Sequence, residues 1–252
     1  MFWERLDKIV KFLFDNKWFV VAVLALAFIV YELFFIFVIN KKKVEKREIS
    51  RNQKIKNMVT IAIFSSISIV LYLTFKFSLP IFPEFLKFQF SNLALILGMF
   101  LLGRKGGITI VLIRTIVVLP FSGTFFVGEL ADLIIGISIV LIGTHLYDKN
   151  KTKKGAIISL VGIALTWVMV SLIANYFMLI PFYINLMFGG NEEVFVSMLK
   201  VIPNVTSENY LWKYILFGAL PFNALLSIVV CFVTFITYKR LSIIYHKFDE
   251  NE

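Results

Sequence analysis

The chain has 252 residues, a formal net charge of +10, and a composition that is 59% hydrophobic and 17% charged. Soluble domains are far less apolar, and apolar runs of about 20 residues, the length that crosses a bilayer, recur along the whole chain. The basic residues fall in short loops between these runs, as in cytoplasmic loops of membrane proteins, which argues against a nucleic-acid-binding protein. The single cysteine, Cys231, excludes a disulfide framework within the chain.

The N-terminal part of the chain is predicted to be an addition to a membrane core. Apolar residues recur at helical spacing in the first 17 residues, which predicts an amphipathic helix on the membrane surface. A full apolar span interrupted only by Glu32 follows, and then a linker whose residues 41–56 include eight Lys or Arg. We therefore divide the chain into a surface segment (1–17), an appended transmembrane helix (18–40), a basic cytoplasmic linker (41–57), a six-helix membrane domain (58–240) and a cytoplasmic tail (241–252).

Six apolar segments after the linker predict an all-α membrane bundle, and the second and third are short enough that we expect them to be tilted or re-entrant. The basic turns at 103–107 and 148–154 belong inside the cell, together with the C-terminus. The loops at 76–87, 120–124 and 184–212 carry few basic residues and belong outside, and the same rule places the N-terminus outside. The six segments are 58–75, 88–102, 107–119, 125–147, 155–183 and 214–238.

Sequence motifs for several kinds of chemistry are absent. The chain has no Gly-x-x-x-x-Gly-Lys-Ser/Thr phosphate loop, no Gly-x-Ser-x-Gly elbow and no His/Glu spacing for a metal. We therefore expect a protein that is not an ATPase or other enzyme and that holds no metal or cofactor. Any uphill transport must take its energy from another protein.

Few ionisable or amide side chains lie within the predicted core helices. Charges inside a membrane are costly, so Arg114, Glu129 and Asp132 should face a cavity or a partner. Counting along the helices places them, together with Asn175 and Asn223, toward the outer side. Polar groups from four helices then converge, as a vitamin with a polar head group requires. The competing interpretation is that Arg114 and Glu129 form an ion pair and that the asparagines join helices.

Four blocks of sequence carry a resemblance to a known family. The most informative is FPEFLKFQFSN…GMFLLGRKGGI, where a proline-containing loop leads into a short helix that stops at a basic glycine turn. In order and spacing, the blocks resemble the substrate-binding (S) components of energy-coupling factor (ECF) vitamin transporters, most closely the riboflavin-specific branch. The blocks are IAIFSSISIVLYL (61–73), the unit just quoted (82–108), SGTFFVGELADLIIG (122–136), and ANYFMLIPFY with ALPFNALLS (174–183 and 219–227).

This resemblance implies a six-helix bundle whose outer loop between the first two core helices covers a vitamin pocket. Ala62 and Ser66 correspond to a small-xxx-small motif that docks on a transmembrane coupling subunit. The resemblance also implies two ATPase subunits as partners, which drive the vitamin-loaded S component to reorient. The chain itself then needs no cofactor, and the vitamin is its transported substrate.

The resemblance also implies binding residues, with some departures from the family's usual pattern. Asn175 and Asn223 match the asparagines of the blocks Asn-Tyr-Phe and Pro-Phe-Asn. Asn92 stands where an aspartate is usual, and Asp132 where an asparagine is usual. Two further differences concern basic residues, because Arg114 occupies the place of a lysine and Leu226 replaces another.

The predicted substrate is accordingly riboflavin or a flavin relative. The alternatives are another vitamin, such as folate, pantothenate or a pyridoxal form. A lipid-modifying membrane enzyme would need a catalytic set, for which Glu129 and Asp132 are the candidates. A structural membrane protein without a ligand is the third class, and the converging polar groups argue against it.

Overall fold

The computed structural model describes residues 50–247 of the protein. The predicted surface segment 1–17, the appended helix 18–40, residues 41–49 of the linker and residues 248–252 of the tail lie outside the described residues. The described helices and strands are α1 (Arg51–Thr74), β1 (Phe77–Ser78), β2 (Lys87–Phe88), α2 (Ser91–Val118), α3 (Val127–Lys149), α4 (Lys153–Ala174), α5 (Ile180–Phe182), α6 (Glu192–Met198), α7 (Tyr210–Lys213) and α8 (Leu220–Lys247).

Several of these helices run on into neighbouring turns. The π-helical segments Asn175–Leu179 and Tyr183–Met187 flank α5 and extend α4, and Tyr214–Ala219 joins α7 to α8. Pro181 and Pro221 lie in or beside these segments, where their missing N–H groups interrupt the regular helical hydrogen bonds. Within residues 50–247, five continuous helical stretches are long and apolar enough to cross a membrane.

One of the five stretches contains two helices, because α2 reverses direction at Gly103. Gly103 has φ 71° and ψ −164°, a conformation that is essentially restricted to glycine. In a straight helix, Gly98 and Ile110 would be about 18 Å apart. Instead, a Cβ built on Gly98 would lie 2.4 Å from Cδ1 of Ile110, so the two halves pack against each other. The all-α bundle with a short, folded-back second and third helix agrees with the sequence prediction.

The first helix begins at a cap and buries only one narrow face. The Ser50 hydroxyl accepts a hydrogen bond from the backbone N–H of Gln53 at 3.2 Å, which satisfies one free donor of the first turn. Phe64, Ser68 and Tyr72, spaced four residues apart, are buried against the bundle. The remaining α1 surface is largely exposed apolar side chain, as expected where lipid or another membrane protein covers a helix.

The main core lies between α2, α3, α4 and α8. At the end of the bundle that carries the basic turns, aromatic rings fill the space between these helices. There the Phe100 ring packs against Tyr147 and Tyr238, each with ring centroids 4.9 Å apart. Lys153, at the start of α4, lies 5.8 Å from the ring centroid of Phe235 in α8. The turns at 103–107 and 148–154 therefore meet at one end of the bundle.

The opposite end carries a short antiparallel hairpin formed by β1 and β2, with Phe77 paired to Phe88 and Ser78 to Lys87. We call residues 75–90 the lid hairpin. Side chains of the lid hairpin, of the 119–126 loop and of the 188–209 loop line the same cavity. These are the three loops that the charge pattern groups on one side, opposite the basic turns.

Candidate functional site

A cavity of about 530 Å³ lies at the lid end of the bundle. Its volume falls within the range of pockets that enclose ligands the size of a vitamin. Its walls combine apolar and aromatic side chains with a small number of polar groups. The polar and aromatic residues of the lining include Tyr72, Gln89, Glu129, Asp132, Trp167, Asn175, Tyr183, Tyr214, Phe222 and Asn223.

Glu129, in the first turn of α3, is held by three hydroxyl groups. Tyr72 donates a hydrogen bond to Oε1 at 3.1 Å, and Ser122 and Thr124 donate to Oε2 at 2.6 and 3.0 Å. The loop that supplies Ser122 and Thr124 continues into Phe126, which has a left-handed backbone (φ 74°). Such strain is found at functional sites, where surrounding bonds maintain it. Both oxygens of the Glu129 carboxylate thus accept hydrogen bonds from the chain itself, and Glu129 forms part of the cavity wall.

Asp132 lies one helical turn further along α3 and belongs to a ring of hydrogen bonds. Gln89, at the end of the lid hairpin, donates to Oδ2 of Asp132 at 2.7 Å. Arg114 donates to the backbone carbonyl of Asp132 at 3.3 Å and to the Ser91 hydroxyl at 2.9 Å. The Ser91 hydroxyl in turn donates to Oε1 of Gln89 at 3.4 Å, which closes the ring. This ring links the lid hairpin, α2 and α3 around one cavity carboxylate.

Among the described residues, Arg114 is one of the largest side chains that are almost completely buried, with 1% exposure. Its guanidinium also donates to Oδ1 of Asn92 at 2.7 Å. Arg114 and Asn92 thus lie behind the cavity wall, and neither lines the cavity. A guanidinium that donates to three oxygen acceptors is well compensated for its burial. The Arg114–Glu129 ion pair considered from the sequence is not the arrangement in the structure.

Asn175, which directly follows α4, and Asn223, in α8, both line the cavity. The Asn175 amide donates to the Ser171 carbonyl at 2.8 Å, and its Oδ1 accepts a hydrogen bond from the Tyr214 hydroxyl at 2.7 Å. The Asn223 amide donates to the Ala219 carbonyl at 2.8 Å. Each carboxamide therefore keeps one N–H for another acceptor. Asn175 and Tyr214 each begin a π-helical segment, a distortion often found at functional sites.

The structure thus brings together four of the six predicted binding residues around the cavity and places the other two behind its wall. Leu226, where the resemblance leads one to look for lysine, is buried and lines the cavity. Lysines do reach the cavity from the lid hairpin, as Lys76 and Lys87. The Lys76 ammonium lies 3.8 Å from the centroid of the Tyr72 ring. Partial burial lowers the pKa of Lys76, although the carboxylates of Asp132 and Glu129 act in the opposite direction.

Sequence reasoning missed Gln89, Tyr72 and Tyr214 as site residues. Gln89 and Tyr72 occur inside blocks that carry the family resemblance, so their polar groups were visible signals. Tyr214 had no such signal, because its role depends on how α7 and its π-helical continuation pack against α4. No group of three or more His, Cys, Asp or Glu suited to a metal occurs within residues 50–247.

Ala62 and Ser66 lie on the exposed face of α1 and do not line the cavity. Their neighbours on this face include the exposed side chains of Met58, Val59 and Ile63. The two small residues are thus accessible to a second membrane protein.

The fold and the site define a multi-pass membrane protein with a ligand-sized cavity under a hairpin lid. The family model for the substrate-specific component of ECF transporters matches residues 56–238. The chain belongs to this family.

Similar proteins agree with this assignment. The chain is 31% identical to the riboflavin transporter RibU of Staphylococcus aureus over 198 residues, which is 78% of this chain and 95% of that protein. It is 27% identical to the riboflavin transporter FmnP of Bacillus subtilis, over 75% of this chain and 93% of that protein. A solved S component of a bacterial ECF transporter matches with a TM-score of 0.58 and 28% identity, over 76% of this chain and 98% of that structure.

Proposed function

We propose that the protein binds riboflavin, or a close flavin relative, from outside the cell and imports it as the S component of an ECF transporter. The observation that carries the proposal is the cavity under the lid hairpin, in a chain whose relatives in three bacteria are named riboflavin transporters. A cavity of about 530 Å³ with aromatic walls suits a flat, fused ring system with a polar chain.

The polar groups suit the hydrogen-bonding needs of such a ligand. The ring system of a flavin carries an N–H donor between two carbonyl acceptors, and its side chain carries hydroxyl groups. Asp132 offers an acceptor, and Asn175 and Asn223 offer N–H donors that their own hydrogen bonds leave available. In this proposal, Glu129 shapes the wall, and Arg114 and Asn92 hold the binding residues in place.

Leu226 and Asp132 favour a neutral or donor-rich ligand. An apolar side chain at 226 and a carboxylate at 132 leave no basic side chain of α3 or α8 on the cavity lining. An anionic vitamin such as folate or pantothenate would have to place its charge near Lys76 or Lys87 on the lid hairpin. Riboflavin, which is uncharged, carries no such requirement.

Transport requires partners in this proposal. The loops at the cavity end face outside, the basic turns face the cytoplasm, and the lid hairpin opens to admit the vitamin. Ala62 and Ser66 contact a transmembrane coupling subunit, and two ATPase subunits supply the energy for reorientation. The N-terminus lies outside by the same charge rule, and the C-terminus lies in the cytoplasm.

The first test is the absorbance spectrum of the protein purified in detergent, followed by titration with riboflavin. Co-purified riboflavin gives a yellow sample whose colour is released on denaturation, and added riboflavin loses fluorescence on binding. We expect Asn175→Leu with Asn223→Leu to abolish this binding, whereas Asn185→Leu, an exposed amide, leaves it unchanged. If the wild type is stable and colourless and does not quench the fluorescence of riboflavin, the substrate is another vitamin.

A further inference from the structure

The lid hairpin is fixed at its tip by an aromatic contact that leads to the binding site. The Phe85 ring centroid lies 5.6 Å from that of Tyr214 and 5.8 Å from that of Phe195. Phe195 is 1% exposed and belongs to α6, in the 188–209 loop. Phe85 thus joins the two outer loops that cover the cavity.

Tyr214 contacts both the lid hairpin and the binding site. Its side chain is 1% exposed, its ring packs against Phe85 and Phe195, and its hydroxyl donates to Oδ1 of Asn175 at 2.7 Å. One rigid phenol ring therefore connects the lid to a cavity carboxamide. A buried hydroxyl held by an acceptor leaves little freedom for the ring to tilt without losing that bond.

The Tyr214 hydroxyl also determines how the Asn175 carboxamide is presented. Because the oxygen accepts from Tyr214 and one N–H donates to the Ser171 carbonyl, the other N–H is the remaining donor. Without the hydroxyl, the oxygen loses its partner, and rotation of the carboxamide can exchange its oxygen and nitrogen. A ligand acceptor would then meet the correct atom only part of the time.

We propose that Tyr214 is a positioning residue that couples closure of the lid hairpin, through Phe85, to the orientation of Asn175. When Phe85 is seated, the ring is fixed and the carboxamide presents its N–H; when the lid hairpin opens, the ring gains freedom and the orientation loosens. Ligand capture and lid closure therefore reinforce each other. The effect on ligand binding rests on the proposed function, whereas the contact between lid and ring does not.

The test is a double-mutant cycle with riboflavin as the probe. Tyr214→Phe keeps the ring and removes the hydroxyl, and Phe85→Leu weakens the contact between the lid hairpin and Tyr214 and keeps the hydroxyl. We expect each variant to weaken affinity by about tenfold, and the double variant by about twentyfold, because both changes act through one ring. Phe85→Leu should act mainly on the dissociation rate. Phe77→Leu, on the same hairpin but against Phe88 and Phe90, is the matched control and should have little effect.

A double variant weakened by about a hundredfold, the product of independent effects, would overturn the coupling, as would unchanged affinity in Tyr214→Phe. A second readout requires no ligand. A nitroxide attached at Ile81→Cys, an exposed lid position, in a Cys231→Ser background reports lid mobility by electron paramagnetic resonance.

We expect greater spin-label mobility with Phe85→Leu and with Tyr214→Leu, and a smaller increase with Tyr214→Phe, which keeps the ring but loses the bond that limits its tilt. Equal mobility in all of these proteins overturns the proposal even if wild type binds riboflavin. Wild type that fails to bind riboflavin overturns the proposed function instead, and the mobility series then decides whether Tyr214 holds the lid.

Discussion

At the scale of single residues, Asp132 has the most direct consequence for ligand choice. Among the described residues, the side-chain hydrogen bond to Asp132 occupies Oδ2 only, through Gln89. Arg114 fixes the neighbouring backbone by donating to the Asp132 carbonyl. The carboxylate is therefore held in place while an acceptor oxygen stays available to a ligand donor. Asp132 also anchors the end of the lid hairpin, because Gln89 directly follows β2.

This arrangement predicts different results for two substitutions of Asp132. Asp132→Asn keeps an acceptor oxygen, so we expect riboflavin affinity to fall by less than about tenfold. Asp132→Leu removes both the acceptor and the partner of Gln89, and we expect a loss of about a hundredfold, consistent with leaving buried polar groups unpaired. Fluorescence titration in detergent measures both. Asp148→Asn, near the basic turn at the other end, is the control. Equal losses for the two substitutions would contradict the acceptor role.

The sequence alone could identify these polar residues but not the hydrogen-bond partners of each one. Counting along helices placed Arg114 and Glu129 in the same region, and an ion pair was a reasonable alternative. The actual partners are separated in sequence, since Arg114 reaches Asn92 and Ser91 across the reversal at Gly103, and Glu129 reaches Tyr72 in α1. Such pairs follow from the packing of helices, which no local pattern encodes.

At the scale of elements, the reversal within α2 shows what a local pattern can predict. Two short apolar segments around a Gly-Arg-Lys-Gly-Gly turn indicated helices that do not cross separately as straight spans. Gly103 supplies the unusual backbone, and Gly107 allows close packing, since a Cβ there would lie 2.8 Å from Val140. The lid hairpin was expected only as a loop, because its two strands have two residues each and lack a strong alternating pattern.

Gly103→Ala tests whether the reversal within α2 requires glycine. An alanine Cβ meets no atom within 4 Å there, so any cost comes from backbone conformation and not from a clash. With φ 71° and ψ −164°, we expect destabilisation of about 1–3 kcal/mol, seen as a lower midpoint of thermal unfolding in detergent. Gly123 also has open space around a built Cβ, and its φ is not positive. Gly123→Ala should therefore leave the midpoint unchanged. The same midpoint for both variants would show that the reversal tolerates a side chain.

At the scale of the whole molecule, the cavity and the surface proposed for partners are separate. The cavity lies under the lid hairpin, and Ala62 and Ser66 lie on the exposed face of α1, outside the cavity lining. The buried face of α1 reaches the site through Tyr72, which bonds to Glu129. One helix therefore presents opposite faces to the ligand site and to the membrane. This separation means that binding and transport can be damaged independently.

Enlarging the small residues on the outer face of α1 should damage transport alone. We expect Ala62→Leu with Ser66→Leu to keep riboflavin affinity within about twofold, because the new side chains point away from the cavity. Uptake of labelled riboflavin by cells that contain the coupling and ATPase subunits should fall at least about tenfold, because bulk at this spacing prevents close helix approach. Val161→Leu, at a position on α4 that is also exposed, should leave both unchanged and controls for lipid-facing bulk. Normal uptake with the double variant would place the coupling contact on a different face.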